Sequence, residues 1–183
     1  MKSSSQDLLR SAIGVAMPSR VSRDRSNDVI ARPLGMVRYK VFDKDRLIAT
    51  IEARNLFVNA GLPALAALLG GDTTGEFAVA VGFGTGSGAP ALADAGLTAP
   101  AYYKALDSHT RDGAGSVTFN WSLTTGDPGA VGITIQELGL FANSAVVTLP
   151  GTTQPSPLLA RKTISPIGFT SSMSLVGTWT LTF

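Results

Sequence analysis

Apolar and polar residues alternate with period two along most of this chain from Gly35 onward. In MVRYKVF (36–42), Val37, Tyr39 and Val41 face one way and Arg38 and Lys40 the other; RLIATIEA (46–53) sets Leu47, Ala49 and Ile51 against Ile48, Thr50 and Glu52. The polar link Asp43-Lys44-Asp45 between these runs predicts a β-hairpin. Further strands are predicted over 76–82, 101–110, 116–124, 132–141 and 145–150, bounded by Gly, Asp or Pro. The last run, MSLVGTWTLTF, puts Met173, Leu175, Trp179, Leu181 and Phe183 on one face and Ser174, Thr178, Thr180 and Thr182 on the other.

Helical periodicity is confined to NAGLPALAALLGG, where Leu62, Leu65, Leu68 and Leu69 recur at helix spacing. Pro63 fits only a first turn and Gly70-Gly71 is a stop signal, so a helix is predicted over 59–69. PALADAG (90–96) allows at most two further turns, opened by Pro90. Many short strands with one substantial helix predict a mainly β fold, an antiparallel β-sandwich with the helix on a sheet or edge. Its core is expected to hold Val37, Leu47, Ile51, Val79, Val81, Phe119, Trp121, Ile133, Ile135, Leu138, Leu175, Trp179 and Leu181. A closed barrel is the alternative architecture.

Residues 1–31 differ: they are rich in Ser and Arg, and their larger apolar residues are Leu8, Leu9, Ile13 and Val21. They are expected to form a basic, extended arm ahead of an assembly domain over 32–183. The net charge of +2 is uneven: residues 1–40 carry eight cations against three carboxylates, so the rest is net negative. Such an arm can grip nucleic acid, an acidic membrane surface or an acidic protein. The first aromatic residue is Tyr39, so the stacking residues of a single-strand binder are missing, and Arg10, Arg20, Arg23 and Arg25 are read as protein-docking contacts. The chain of 183 residues has no Cys, so it has neither disulfides nor thiolate chemistry. Asp7 and Arg10 interrupt any signal-peptide core, no run is long enough for a membrane-spanning helix, and the expectation is synthesis in the cytoplasm without membrane insertion.

GFGTGSGAP (82–90) matches the glycine spacing of a dinucleotide loop after a strand. No long helix follows to present its N-terminus to a pyrophosphate, no βαβ pattern surrounds it, and the Lys of a Walker loop is missing. The run therefore reads as a side-chain-poor turn, in which Gly84 and Gly86 let backbone approach backbone within the sandwich or across a subunit boundary. His109, the only histidine, sits in SHTRDGAG with Ser108, Asp107 and Asp112 nearby, and is read as a surface residue at a strand end. Asp43/Asp45 and Asp107/Asp112 lack the ligand density of a calcium loop. The expectation is no catalytic residue, no metal and no cofactor. Glu137, among apolar neighbours in TIQELGLF, must be hydrogen-bonded, paired or placed at a subunit contact; Arg54 and Arg161 are its candidate partners.

Together, NLFVNAGLPALAALLGG (55–71), VAVGFGTGSGAP (79–90), DAGLTAP (94–100), TIQELGLF (134–141) and SLVGTWTLTF (174–183) resemble the tail-collar fibre family of tailed bacteriophages. The resemblance covers about residues 50–183. It implies a non-enzymatic virion protein of the collar, neck, baseplate or fibre attachment, working as a symmetric oligomer with itself and other virion proteins. Unlike long fibre proteins, this sequence ends with the domain, which argues against a receptor-binding tip. Gly84, Gly86 and Glu137 join the four arginines of the arm as candidate assembly contacts. A capsid decoration protein and a short host-attachment fibre are the competing readings.

Overall fold

The computed structural model describes residues 32–72, 74, 77–142 and 147–183, of which Arg32–Phe183 form one unit. The arm over 1–31, with Arg10, Arg20, Arg23 and Arg25, lies outside the described residues. Nine strands follow in chain order: β1 (Leu34–Asp43), β2 (Arg46–Phe57), β3 (Ala78–Gly84), β4 (Pro100–Ala105), β5 (Ser108–Arg111), β6 (Ser116–Leu123), β7 (Thr134–Ala142), β8 (Leu158–Gly168) and β9 (Met173–Thr182). The helix α1 (Leu62–Leu69) lies between β2 and β3. All neighbouring strands are antiparallel, in the order β4-β3-β7-β8-β2-β1-β9-β6-β5.

One long strand makes this single sheet into a sandwich. β2 pairs with β1 from Arg46 to Asn55, then with β8 only at Leu56 and Phe57. Its last two residues therefore belong to a second half-sheet, and the sheet curls so that its halves face each other. Trp121 from β6 packs edge-on against Phe83 from β3, ring centroids 5.7 Å apart, and Tyr39 from β1 packs tilted against the same indole at 6.2 Å. Val37, Leu123, Leu138, Leu140, Leu175 and Trp179 are buried in the same core. Gly177 is the gap in the apolar face of β9. It lies opposite both Tyr39 and Trp121, and a Cβ there would collide with the indole.

The hairpin has the predicted two-residue reversal. Lys44 (φ 48°) and Asp45 (φ 65°) both adopt the left-handed region, as the hairpin turn whose twist matches its strands requires. Leu47 departs from its expected core position and is 50% exposed. The cause is a bulge: Val41 pairs with Ala49 but Phe42 with Leu47, so Ile48 is an extra residue and everything before it changes face. The helix starts later than predicted, since Asn59–Gly61 form a 3-10 turn before Leu62. It stops as expected: Gly71 has φ 90°, its N–H bonds the Leu68 carbonyl, and the Asp72 N–H bonds the Ala67 carbonyl.

Three further expectations are corrected. The segment 101–110 is two strands, β4 and β5, which lie at opposite ends of the sheet order with Leu106-Asp107 between them. PALADAG contains no helix; Asp94 closes a turn by accepting the Ala91 N–H on its carboxylate. The described part of 145–150, residues 147–150, is not strand. β8 lies where no strand is expected: its Arg161-Lys162 and Pro166 break the apolar alternation, although Leu158 and Ala160 are fully buried.

Replacing Gly177 by Ala forces Cβ into the Trp121 ring and the Arg38 carbonyl. The expected cost is about 1–3 kcal/mol of stability, read as a lower urea midpoint at unchanged slope.

Candidate functional site

The residues singled out by sequence, Gly84, Gly86 and Glu137, meet on the outer face of the β4-β3-β7-β8 half-sheet. Along β7, Leu138 and Leu140 point into the sandwich, and Glu137, Gly139 and Phe141 point out. Opposite them on β3 lie Gly84, Gly82 and Ala80. Neither Gly82 nor Gly139 has room for a side chain, because the Phe141 ring, and at Gly82 also that of Tyr103, covers the bare backbone; these two rings meet edge-on at 5.3 Å. Leu97, from the long connection between β3 and β4, joins Val58, Ala80, Tyr103, Phe141 and Leu158 in a second buried cluster. The 85–99 connection therefore covers the outer face, which leaves β7 buried on both sides and explains its nearly continuous apolar run.

Glu137 holds that cover down. Its side chain is fully buried, and both oxygens are saturated. Oε1 accepts the N–H groups of Gly86 (3.1 Å) and Ala99 (2.8 Å). Oε2 accepts the Thr98 N–H (3.0 Å) and the Arg161 Nε–H (2.8 Å), and Arg161 Nη2 lies in ion-pair contact with it at 2.6 Å. Arg161, on β8 and 1% exposed, reaches further: Nη1 donates to Asp94 Oδ2 at 2.8 Å, and Nη2 to the Thr98 hydroxyl at 2.5 Å and the Gly88 carbonyl at 3.2 Å. The Thr163 hydroxyl also donates to the Gly88 carbonyl, at 2.7 Å. A Cβ at Gly84 or at Gly86 would lie 2.5 Å from Glu137 Oε1, so the glycines are needed where the loop backbone closes on the carboxylate.

Of the two partners considered for Glu137, Arg161 is the one it binds; Arg54 is exposed. Asp94, Thr98 and the carbonyl of Gly88 belong to the network; their segments carry part of the resemblance, but none of the three was read as a site residue, since nothing local assigns them to a buried charge. For Asp94, partial burial pushes the carboxyl up, but the Ala91 N–H and the Arg161 guanidinium outweigh it and leave the pKa below its usual value. The guanidinium, disfavoured by burial, is in turn held protonated by its two carboxylates.

A second buried carboxylate was missed altogether. Asp127, 4% exposed, accepts Lys104 Nζ and the Thr124 N–H on Oδ2, both at 2.8 Å, and the Tyr102 hydroxyl on Oδ1 at 3.2 Å. Burial raises this carboxyl and its partners lower it, Lys104 foremost, with a net lowering. Burial and the facing carboxylate push Tyr102 up to about 12. The signal available in sequence was Thr-Thr-Gly-Asp-Pro, a turn in which an Asp caps its own backbone. His109 lies exposed on β5 beside the Phe119 ring, and the Ser108 hydroxyl accepts the Asn120 amide. Asp112 accepts the N–H groups of Ala114 and Ser116 across a turn.

Among the described residues no three His, Asp or Glu side chains cluster as metal ligands would, and no helix is long and apolar enough to cross a membrane. The chemistry of the Glu137 centre is electrostatic fastening: each carboxylate oxygen of Glu137 and each guanidinium nitrogen of Arg161 has a partner within the chain. A groove of about 650 Å³ lies elsewhere, lined by α1, the start of β3, β5, β6 and the end of β9. Comparison with protein-family models, curated proteins and solved structures finds no match to this chain.

Removing one partner of the pair strands a buried charge, so Glu137→Leu or Arg161→Met alone is expected to cost about 3–5 kcal/mol. The double variant is expected to recover a measurable part of that loss in a denaturation double-mutant cycle. Asp94 and Asp127 have folded pKa values below the unfolded value of about 3.9, so their contribution is fully present above it and lost as pH falls through the folded values. Stability attributable to them is expected to hold from pH 7 to 5 and to decline below about pH 4; Asp94→Asn flattens that decline in acid titrations of the unfolding free energy.

Proposed function

We propose that this chain is a non-enzymatic structural protein of a tailed-bacteriophage virion, an assembly module of the tail, collar or baseplate region that works as a symmetric oligomer. One observation carries the reading. Three of the segments on which the resemblance to tail-collar fibre proteins rests are parts of one physical unit: TIQELGLF provides Glu137, VAVGFGTGSGAP provides the Gly86 N–H and the Gly88 carbonyl, and DAGLTAP provides Asp94, Thr98 and Ala99. These motifs, weak singly, are required together because each supplies a ligand to the same buried ion pair.

The surface supports an assembly role as well. Leu34, Leu47, Ile48, Leu69, Phe77 and Phe183 are each about half exposed or more. Of these, Phe77 and Phe183 line one groove together with Leu65 and Leu68, and exposed apolar side chains gathered in this way mark a surface used for contacts between proteins. The fastening of the 85–99 connection suits a part that bears load: a loop held by two carboxylates and a guanidinium presents a fixed shape to its neighbours.

Imaging intact particles with the protein labelled, and counting its copies, tests this reading. A symmetric set of copies at the tail, neck or baseplate is expected. Copies distributed over the shell would assign it to capsid decoration, and absence from purified particles would overturn the virion reading.

A further inference from the structure

The sandwich is filled unevenly. On its inner side β1 contributes Val37, Tyr39 and Val41, at most 3% exposed, whereas Ala49, Ile51 and Ala53 of the neighbouring β2 are only partly buried, as are Ile167 and Met173. These residues line one cavity of about 560 Å³ along the seam between β2 and β8. The seam exists because the two strands part. β2 meets β8 only at Leu56 and Phe57; among the described residues, its stretch from Arg46 to Asn55 has a ladder neighbour on the β1 side alone, and β8 from Lys162 to Gly168 on the β7 side alone.

Both strands therefore turn an open backbone edge to the same cavity, but the two edges differ. In β8, Pro166 has no N–H to donate and the register to β7 is broken between Thr163 and Ile167, features that keep an edge from pairing. β2 has neither between Ala49 and Asn55, where it keeps unbroken register with β1 from Val41↔Ala49 to Gly35↔Asn55. At alternate residues of this stretch the N–H and C=O groups point away from β1. The outermost strands offer less: β5 is four residues long and exposed throughout, and Tyr103 of β4 already pairs with Gly151.

The unpaired charge along the seam has one sign. Lys162 is the charged residue of its lining, and neither it nor Arg46 nor Arg54 of β2 has an ion pair among the described residues. Glu52 is held by Arg38, Asp43 accepts the Ser172 hydroxyl, and Lys44 and Asp45 at the turn offset each other. We infer that the free edge of β2 between Ala49 and Asn55 takes up an extended, acidic segment of another protein as an added strand, whose alternate apolar side chains fill the seam while its carboxylates meet the unpaired cations. The backbone selects the occupant, since an extended chain presents N–H and C=O groups at the interval the edge requires, and the same strand brings the inward side chains that Ala49, Ile51 and Ala53 lack as cover. This goes beyond the virion reading and does not depend on it.

The test uses the full chain and follows amide hydrogen exchange over Ala49–Asn55 by NMR. The probe is a short peptide in which valine alternates with glutamate; one counterpart has lysine in place of glutamate, and another is N-methylated at every backbone nitrogen. In the chain alone every second amide of the stretch is expected to exchange freely. The glutamate peptide is expected to protect these amides and to bind roughly tenfold tighter than the lysine peptide, as a few exposed ion pairs allow. Arg54→Glu, at an exposed position, is expected to narrow that preference with an unchanged thermal melt. Protection of every amide in the chain without peptide, at dilution or only where copies associate, means that this chain or a second copy takes the edge, and overturns the inference. Binding that survives N-methylation or leaves the exchange pattern unchanged is apolar adhesion and overturns it too. Equal binding of the glutamate and lysine peptides, or no binding of the glutamate peptide at millimolar concentration, does the same.

Discussion

The Glu137–Arg161 pair sits where a charge is costly, on a strand covered on both faces, and much of the surrounding structure follows from what is needed to keep it there. A buried carboxylate is tolerated only when its lone pairs are filled and its charge is matched. Three backbone N–H groups and a guanidinium do this for Glu137, and a second carboxylate and two further oxygens do it for Arg161. All of these groups except the pair itself and Thr163 come from the connection between β3 and β4. The pair therefore fixes a stretch that has no regular structure of its own and would otherwise be a free loop.

That stretch in turn completes the fold. With 85–99 closed down, Leu97 reaches Tyr103 and Phe141 and the outer half-sheet face becomes a second core. The glycines serve both parts of this arrangement: at Gly84 and Gly86 they admit the loop to the carboxylate, and at Gly82 and Gly139 they make room for the rings beneath it. A phosphate cradle uses glycine to bring backbone N–H groups to an anion. Here the anion is the protein's own side chain, so the dinucleotide-like spacing of GFGTGSG has a physical counterpart without a bound nucleotide.

The hairpin, the helix stop and most core-facing residues were legible in the sequence because each depends on neighbours a few positions away. Legibility failed where tertiary structure overrode the local pattern. A single inserted residue at Ile48 turned Leu47 outward, and the change of direction at Leu106-Asp107 sent β5 to the far edge of the sheet. β8 escaped notice because a strand covered on its outer face by a polar network carries Arg161 and Thr163 where alternation asks for apolar or solvent-facing residues. Glu137 was recognisable as an anomaly, and Arg161 as one of two partners, since an uncompensated charge among apolar residues demands an opposite one. Asp94 and Thr98 had no such mark, because only the folded loop brings them to the guanidinium.

The division between what is fastened and what is left open bears on how the molecule works. One face of the half-sheet built on β7 is sealed with every polar group answered, at the cost of confining two charges in a dry interior. The groove lined by Phe57, Leu65, Leu68 and Phe77, and the half-exposed Leu47 beside the β1–β2 turn, are instead apolar surfaces left open among the described residues. Exposed apolar area on a flexible element would collapse onto the protein itself; on a rigid one it keeps its shape until another surface covers it. Preorganised contact surfaces lose little conformational entropy on association. The buried ion pair fastens the 85–99 connection onto the half-sheet, so that this stretch, which has no regular structure of its own, keeps one shape.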